Sequence, residues 1–104
     1  MGILHSTSDN FDNIKNTSLL LVDFWAGWCM PCKMVAPVIE DLAEEYKDSV
    51  TVAKADVDSE SAIASKFGIE SIPTVVIFKD GVEKKRLIGV QPIEKYRAAI
   101  NSLL

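Results

Sequence analysis

Residues 19–33 read LLLVDFWAGWCMPCK and join a short apolar run to two cysteines. The run over residues 19–25 is rich in strand formers and shows no polar alternation, which is typical of a strand buried on both faces. Residues 33–46 then carry apolar side chains at helical spacing: Met34, Val35, Val38, Leu42 and Tyr46. The two cysteines are therefore predicted to lie between a buried strand and a helix.

The rest of the chain continues to alternate strands and helices. A short strand at residues 3–4 and a helix over about residues 9–16 are predicted before the apolar run. Strands at residues 50–57, 74–78 and 82–90 follow, with a hairpin turn at residues 79–81. A helix that ends at Gly68 lies between the first two of these strands. A last helix begins near Pro92 and carries the apolar stripe Ile93, Tyr96, Ile100 and Leu103.

This order predicts an α/β protein with parallel strand pairs and one antiparallel hairpin. The chain has 104 residues, which suits a single domain over residues 1–104 with an adequate core. Eleven basic and fifteen acidic residues leave a net charge of −4, which argues against a nucleic-acid partner. No signal peptide and no membrane-spanning run is present, so we expect a cytoplasmic protein in a reducing compartment, with no membrane association.

The four residues Cys29-Met30-Pro31-Cys32 have a chemistry set by their place at the start of a helix. Free N–H groups and the helix dipole favour an anion there, so the pKa of the Cys29 thiol should fall. Cys32 follows one turn later on the same face and can form a disulfide with Cys29. Pro31 fixes the backbone at the helix start. Attack by Cys29 on a partner's disulfide and resolution by Cys32 then form a redox cycle.

Three other roles compete with the redox cycle as an explanation of the two cysteines. A structural disulfide that closes so short a loop contributes only about 2 kcal/mol, which this core does not need. A zinc site would need two more ligands, and His5 is the only histidine, so no metal site is expected. Inert burial in the core conflicts with the flanking sequence, which is typical of an exposed loop.

Residues 25–33, WAGWCMPCK, resemble the active-site segment of the thioredoxin family. The similarity extends over nearly the whole chain, through Val22-Asp23-Phe24, Ala36-Pro37, Ile72-Pro73-Thr74, Gly81 and Gly89. It implies a thioredoxin fold, with a central mixed five-stranded β-sheet flanked by four helices. It also implies a monomeric reductase of protein disulfides, with a redox-active Cys29–Cys32 disulfide and no bound cofactor. A thioredoxin reductase or an equivalent electron donor would recycle it.

Asp23 is an acidic residue inside the apolar run, where burial should raise the pKa of its carboxyl group. The resemblance implies that Asp23 lies behind Cys32 and transfers the proton when Cys32 becomes a nucleophile. Lys54 corresponds to its family partner, although strand alternation alone leaves Lys54 facing either solvent or Asp23.

The Ile72-Pro73 bond is implied to be cis and adjacent to the cysteines, although a proline that opens a strand needs no function. A cis bond would turn the Ile72 backbone towards an extended substrate. The resemblance also implies an apolar substrate-binding rim, in which Gly89 allows close approach of a partner backbone. Its members are Trp28, Met30, Pro31, Val57, Ile72, Pro73, Ile88, Gly89 and Val90.

Met30 departs from the family, where glycine is usual at this position. A flexible thioether there should alter partner preference, the reduction potential and the choice of reductase. Two other functions stay open. An oxidant or isomerase could share the fold, and a thioredoxin-fold binding module or subunit could carry the dithiol incidentally.

Overall fold

The computed structural model describes residues 3–5, 10–11 and 17–104. Within these ranges the sheet has the strands β1 (Leu4–His5), β2 (Leu19–Trp25), β3 (Thr51–Asp56), β4 (Thr74–Lys79) and β5 (Val82–Ile88). The helices are α1 (Met30–Glu45), α2 (Ser61–Lys66) and α3 (Ile93–Asn101). The predicted α/β alternation is confirmed over these residues.

The expected count of five strands and four helices is met only in part. Four strands have six or seven residues, whereas β1 has two. The described residues contain three helices, and the helix predicted over about residues 9–16 lies outside them, apart from residues 10–11. The finer count therefore differs from the expectation, while the class of fold does not.

Strand β2 is at the centre of the sheet because its residues are apolar on both faces. The strand order is β1-β3-β2-β4-β5, and β2 pairs in parallel with β3 and antiparallel with β4. One face of β2 presents Leu19 and Leu21 to α1 and α3. The other face presents Leu20, Val22 and Phe24 to a second apolar cluster that includes Ile63 and Phe78.

Alternation along β2 determines where the buried acid points. Asp23 follows Leu21 by two residues, so its side chain lies on the face covered by α1 and α3. Its register partners are Lys54 on β3 and Val75 on β4. The sheet thus brings the acid to the same side as the helix that begins at the cysteines.

Helix α1 begins three residues earlier than the periodicity predicted. Cys29 is its N-cap, and Pro31 is in the first turn, where its missing N–H costs no intrahelical bond. The apolar repeat predicts a helix from residue 33, whereas the buried face of the helix already includes Cys32, which precedes Val35 by one turn. Strand β5 also ends earlier than predicted, since Gly89 has a φ of 81° and breaks the extended backbone.

Candidate active site

Cys29 and Cys32 form a disulfide, with their Cα atoms 5.3 Å apart. Both cysteines are buried, with relative exposures of 3% and 4%. The exposed setting predicted from the flanking sequence was therefore wrong. Trp25, Val57 and Ile72 pack around the sulfurs and Ala26, and these contacts exclude most solvent from the pair.

The start of α1 provides an electrostatic site for the Cys29 sulfur. The backbone N–H of Cys32 donates to Cys29 Sγ at 3.2 Å, as an N-cap contact. The same sulfur lies 3.9 Å from the carbonyl oxygen of Ile72. When the disulfide is reduced, the donated N–H and the positive end of the helix dipole favour the thiolate form of Cys29.

Asp23 is 1% exposed, and its Oδ1 atom has no hydrogen-bond partner among the described residues. Burial raises the pKa of this carboxyl group from 3.8 to about 6, while the charge of Lys54 acts in the opposite direction. The predicted upward shift is thus present, and burial is its dominant cause. A carboxyl group with this pKa can accept and release a proton near neutral pH.

The half-buried Lys54 side chain lies on the same face of the sheet as the Asp23 carboxyl group. It is the direct register partner of Asp23, and its ammonium lies 4.7 Å from the centroid of the Trp25 ring. Within the described ranges, Lys54 and Asp23 form no direct ion pair. Their interaction is therefore electrostatic at longer range, with Trp25 as the neighbour of the ammonium group.

The segment around Pro73 lies beside the disulfide. The Ile72-Pro73 bond is cis, which confirms that prediction. Gly89 donates its backbone N–H to the Pro73 carbonyl at 2.8 Å, which fixes the end of β5 next to Pro73. A Cβ atom added at Gly89 would meet no atom within 4 Å, so the space over this backbone is open.

Four of the predicted rim residues are large apolar side chains that are exposed. The exposed fractions are 69% for Trp28, 66% for Met30, 56% for Ile88 and 46% for Val90. Pro31 is exposed as well, Val57, Ile72 and Gly89 are half-buried, and Pro73 is buried. Val57 and Ile72 therefore lie next to the sulfurs, whereas the rim of exposed side chains stays a prediction.

Asp58 lies in the loop that follows β3. Its Oδ2 accepts a hydrogen bond from the Trp28 indole N–H at 2.8 Å. This contact links the loop after β3 to the residue before Cys29. No sequence pattern signals the pairing, because the two residues are 30 positions apart. It holds the most exposed aromatic ring of the rim in one orientation.

The residues in the described ranges offer neither a candidate metal site nor a candidate membrane span. These residues contain no group of three or more His, Cys, Asp or Glu side chains that could hold a metal ion. None of their helices has the length and apolar character that crossing a bilayer requires.

Known proteins resemble the chain over nearly its full length. The thioredoxin family model matches residues 2–102. A thioredoxin of Staphylococcus saprophyticus is 44% identical over 104 residues, which is 100% of both chains. A thioredoxin of Alicyclobacillus acidocaldarius is 50% identical over 99 residues, which is 94% of each. A solved mutant thioredoxin of Halobacterium salinarum is similar with a TM-score of 0.88 and 35% identity, covering 97% of this chain and 88% of that one.

The fold and the buried cysteine pair at a helix start define a thiol-disulfide oxidoreductase. The redox-active group is the Cys29–Cys32 disulfide. The chain belongs to the thioredoxin family.

Proposed function

We propose that this protein reduces protein disulfides in two steps. The Cys29 thiolate attacks one sulfur of the substrate disulfide, forms a mixed disulfide and releases the first substrate thiolate. Cys32 then loses its proton and attacks Cys29 Sγ, which releases the second substrate thiolate. The Cys29–Cys32 disulfide forms, so two electrons pass from this chain to the substrate.

The observation that carries the proposal is the position of Cys29 Sγ. It accepts the N–H of Cys32 at the N-terminus of α1, and it lies beside the Ile72 carbonyl. The first contact supports the thiolate that attacks. The second contact supports docking of the attacked disulfide beside the Ile72 backbone, with which an extended substrate segment can pair.

Asp23 is the proton acceptor in the second step of this proposal. Its carboxyl group shares a face of the sheet with α1, whose first turn contains Cys32. With a pKa of about 6, Asp23 is largely ionised at neutral pH and can take the Cys32 proton. Lys54 then supports the carboxylate, since its charge lowers the pKa of Asp23.

The rim residues are proposed to bind the substrate weakly and without a fixed sequence. Trp28, Met30, Ile88 and Val90 are exposed and the space over Gly89 is open, so side chains of varied shape can pack while the substrate backbone approaches Ile72. This arrangement suits loops and unfolded segments of proteins more than a small rigid ligand.

The remaining parts of the proposal rest on family membership. They are a monomer with one domain over residues 1–104, the full set of five strands and four helices, and a cytoplasmic location. No bound cofactor is proposed, and a thioredoxin reductase or an equivalent electron donor would return the disulfide to the dithiol. Neither nucleic acid nor a membrane is a proposed partner.

Reduction of insulin disulfides with dithiothreitol as electron donor tests the function. The parent should catalyse reduction, and Cys29→Ser should not. An oxidant would instead show a reduction potential well above that of reducing members of the class. A binding module would keep its biological activity in Cys29→Ser, and that result would contradict the proposed reductase role.

Met30 provides a test of the rim. Replacing Met30 by glutamine keeps the length of the side chain and removes its apolar surface. Full burial of a methionine contributes about 1.5–3 kcal/mol, so partial burial on docking should raise the KM for a protein disulfide about fivefold. The kcat should change little, because the sulfurs and Asp23 are untouched.

Met34→Gln is the matched control for Met30→Gln. Met34 is 65% exposed on the same helix, one turn farther from the disulfide, and it is not a member of the proposed rim. Its KM should equal that of the parent. Equal KM values for Met30→Gln and the parent would remove Met30 from the rim.

A further inference from the structure

Tyr96 is a buried titratable residue that the proposed cycle does not use. It lies on α3, is 0% exposed and packs in the cluster that contains Leu21, Val35 and Val75. Its hydroxyl group has no hydrogen-bond partner among the described residues. A phenylalanine would fill the same space, so packing alone does not account for the hydroxyl group.

The described residues contain three buried side-chain polar atoms without a hydrogen-bond partner, Asp23 Oδ1, Trp25 Nε1 and the Tyr96 hydroxyl. All three lie on the same side of the sheet. Asp23 and Trp25 alternate with Leu21 along β2, and Tyr96 packs against that face from α3. Val75, the register partner of Asp23, belongs to the apolar cluster of Tyr96.

The charges of this region act on one another. Burial raises the pKa of Tyr96, and the charge of Asp23 raises it further. The Gln91 backbone lies near enough to the phenol oxygen to lower this pKa, although the contact falls outside hydrogen-bond geometry. The titratable groups that interact with Asp23 are thus Lys54 from β3 and Tyr96 from α3.

Buried waters typically make about three hydrogen bonds to polar groups that the protein leaves unsatisfied. Asp23 Oδ1 and Trp25 Nε1 from β2 and the Tyr96 hydroxyl from α3 are such a set of unsatisfied groups. The phenol and the indole are donors, and the carboxylate oxygen is an acceptor. A single water can therefore accept from one side and donate to the carboxylate.

We propose that the Tyr96 hydroxyl is a positioning group that, through a shared buried water, stabilises the ionised form of Asp23 needed to deprotonate Cys32. This proposal rests on the proton-transfer role given to Asp23 under the proposed function. Tyr96 touches neither the substrate nor the sulfurs in this scheme, and it acts only through Asp23.

Tyr96→Phe tests the proposal, because it removes the hydroxyl and keeps the ring. Loss of a hydrogen bond to a charged group should raise the pKa of Asp23 by about one unit, as measured by NMR titration of its carboxyl carbon. Resolution of a mixed disulfide should then be about tenfold slower near pH 5 and unchanged above about pH 8, where Asp23 is ionised in both proteins.

Tyr46→Phe is the matched control. Tyr46 is the other of the two tyrosines, and its hydroxyl donates to Asn101 Oδ1 at 2.9 Å. This change also removes one phenolic hydroxyl, but it should leave both the Asp23 titration and the rate profile as in the parent. A reciprocal measurement leaves Tyr96 intact, since Asp23→Asn should lower the pKa of Tyr96.

Failure of the Tyr96–Asp23 link and failure of the proton-transfer role of Asp23 give different results. The link between the hydroxyl and the carboxyl group is overturned by two results together. The pKa of Asp23 would be the same in Tyr96→Phe and the parent, and the pKa of Tyr96 would be the same in Asp23→Asn and the parent. The role of Asp23 in proton transfer is overturned by a different pair of results. Tyr96→Phe would shift the pKa of Asp23 without changing the pH dependence of mixed-disulfide resolution, and Asp23→Asn would resolve the mixed disulfide at the parent rate.

Discussion

Cys32→Ser is expected to stop the reaction at the mixed disulfide. Cys29 keeps its place as N-cap, and the backbone N–H that it accepts belongs to residue 32 whatever the side chain there. The first attack should therefore proceed, while turnover falls to the uncatalysed rate because no thiol resolves the intermediate. Mass spectrometry after incubation with a disulfide-bonded protein should show one substrate chain bound to each molecule.

Cys29→Ser is the informative comparison, because it leaves Cys32 as the remaining thiol. Cys32 lies within the first turn of α1 and is 4% exposed. It should form little mixed disulfide under the same conditions. If Cys29→Ser traps substrate as well as Cys32→Ser does, the order of attack proposed for the two cysteines is wrong.

Asp23→Asn is expected to stabilise the fold while it slows turnover. Folding raises the pKa of Asp23 from 3.8 to about 6, so the native state binds this proton more tightly than the unfolded state. Stability is therefore lost as pH rises through this window, by roughly 3 kcal/mol at 1.36 kcal/mol per pKa unit. A neutral asparagine should recover most of that free energy at pH 8 and almost none below pH 4.

Urea unfolding at pH 4, 6 and 8 measures the effect. Asp41→Asn is the matched control, since Asp41 is an exposed aspartate on α1. Its stability difference from the parent should be small at every pH. A stability gain in Asp23→Asn that does not grow between pH 4 and pH 8 would contradict the assignment of the shift to a buried carboxyl group.

Asp23→Asn should slow catalysis although it stabilises the fold. Asparagine cannot accept the proton of Cys32, so resolution of the mixed disulfide should slow while the first attack stays near the parent rate. Equal rates for both steps in the parent and in Asp23→Asn would refute the proton-transfer role. A residue that destabilises the fold and speeds one chemical step is expected where function requires a buried charge.

Part of the fold could be predicted because its signals are local. A few neighbouring residues are enough to predict the apolar strand β2 and the turn at Lys79-Asp80-Gly81 between β4 and β5. Helix starts were less accurate. The start of α1 depends on the Cys29 cap and on Pro31, neither of which adds to an apolar repeat.

At the candidate site, too, the sequence predicted the features that depend on neighbouring residues and missed those that depend on distant ones. The motif around Cys29 and Cys32 predicted the chemistry, but not that both cysteines are buried under Trp25, Val57 and Ile72. Tyr96 was interpreted only as part of an apolar stripe, although a buried phenol needs a partner for its hydroxyl. Asp58 gave no signal at all, since its partner Trp28 is distant in the chain.

Local patterns in the chain are enough to predict the order of elements, the redox motif at the start of a helix and the acid inside a buried strand. Those features depend on neighbours within one or two turns, which local spacing records. The placement of Lys54 and Tyr96 around Asp23 depends instead on strand register and helix packing, which bring the two residues together from β3 and α3. Burial in that shared space sets the pKa of the acid, and burial is a property of the assembled core.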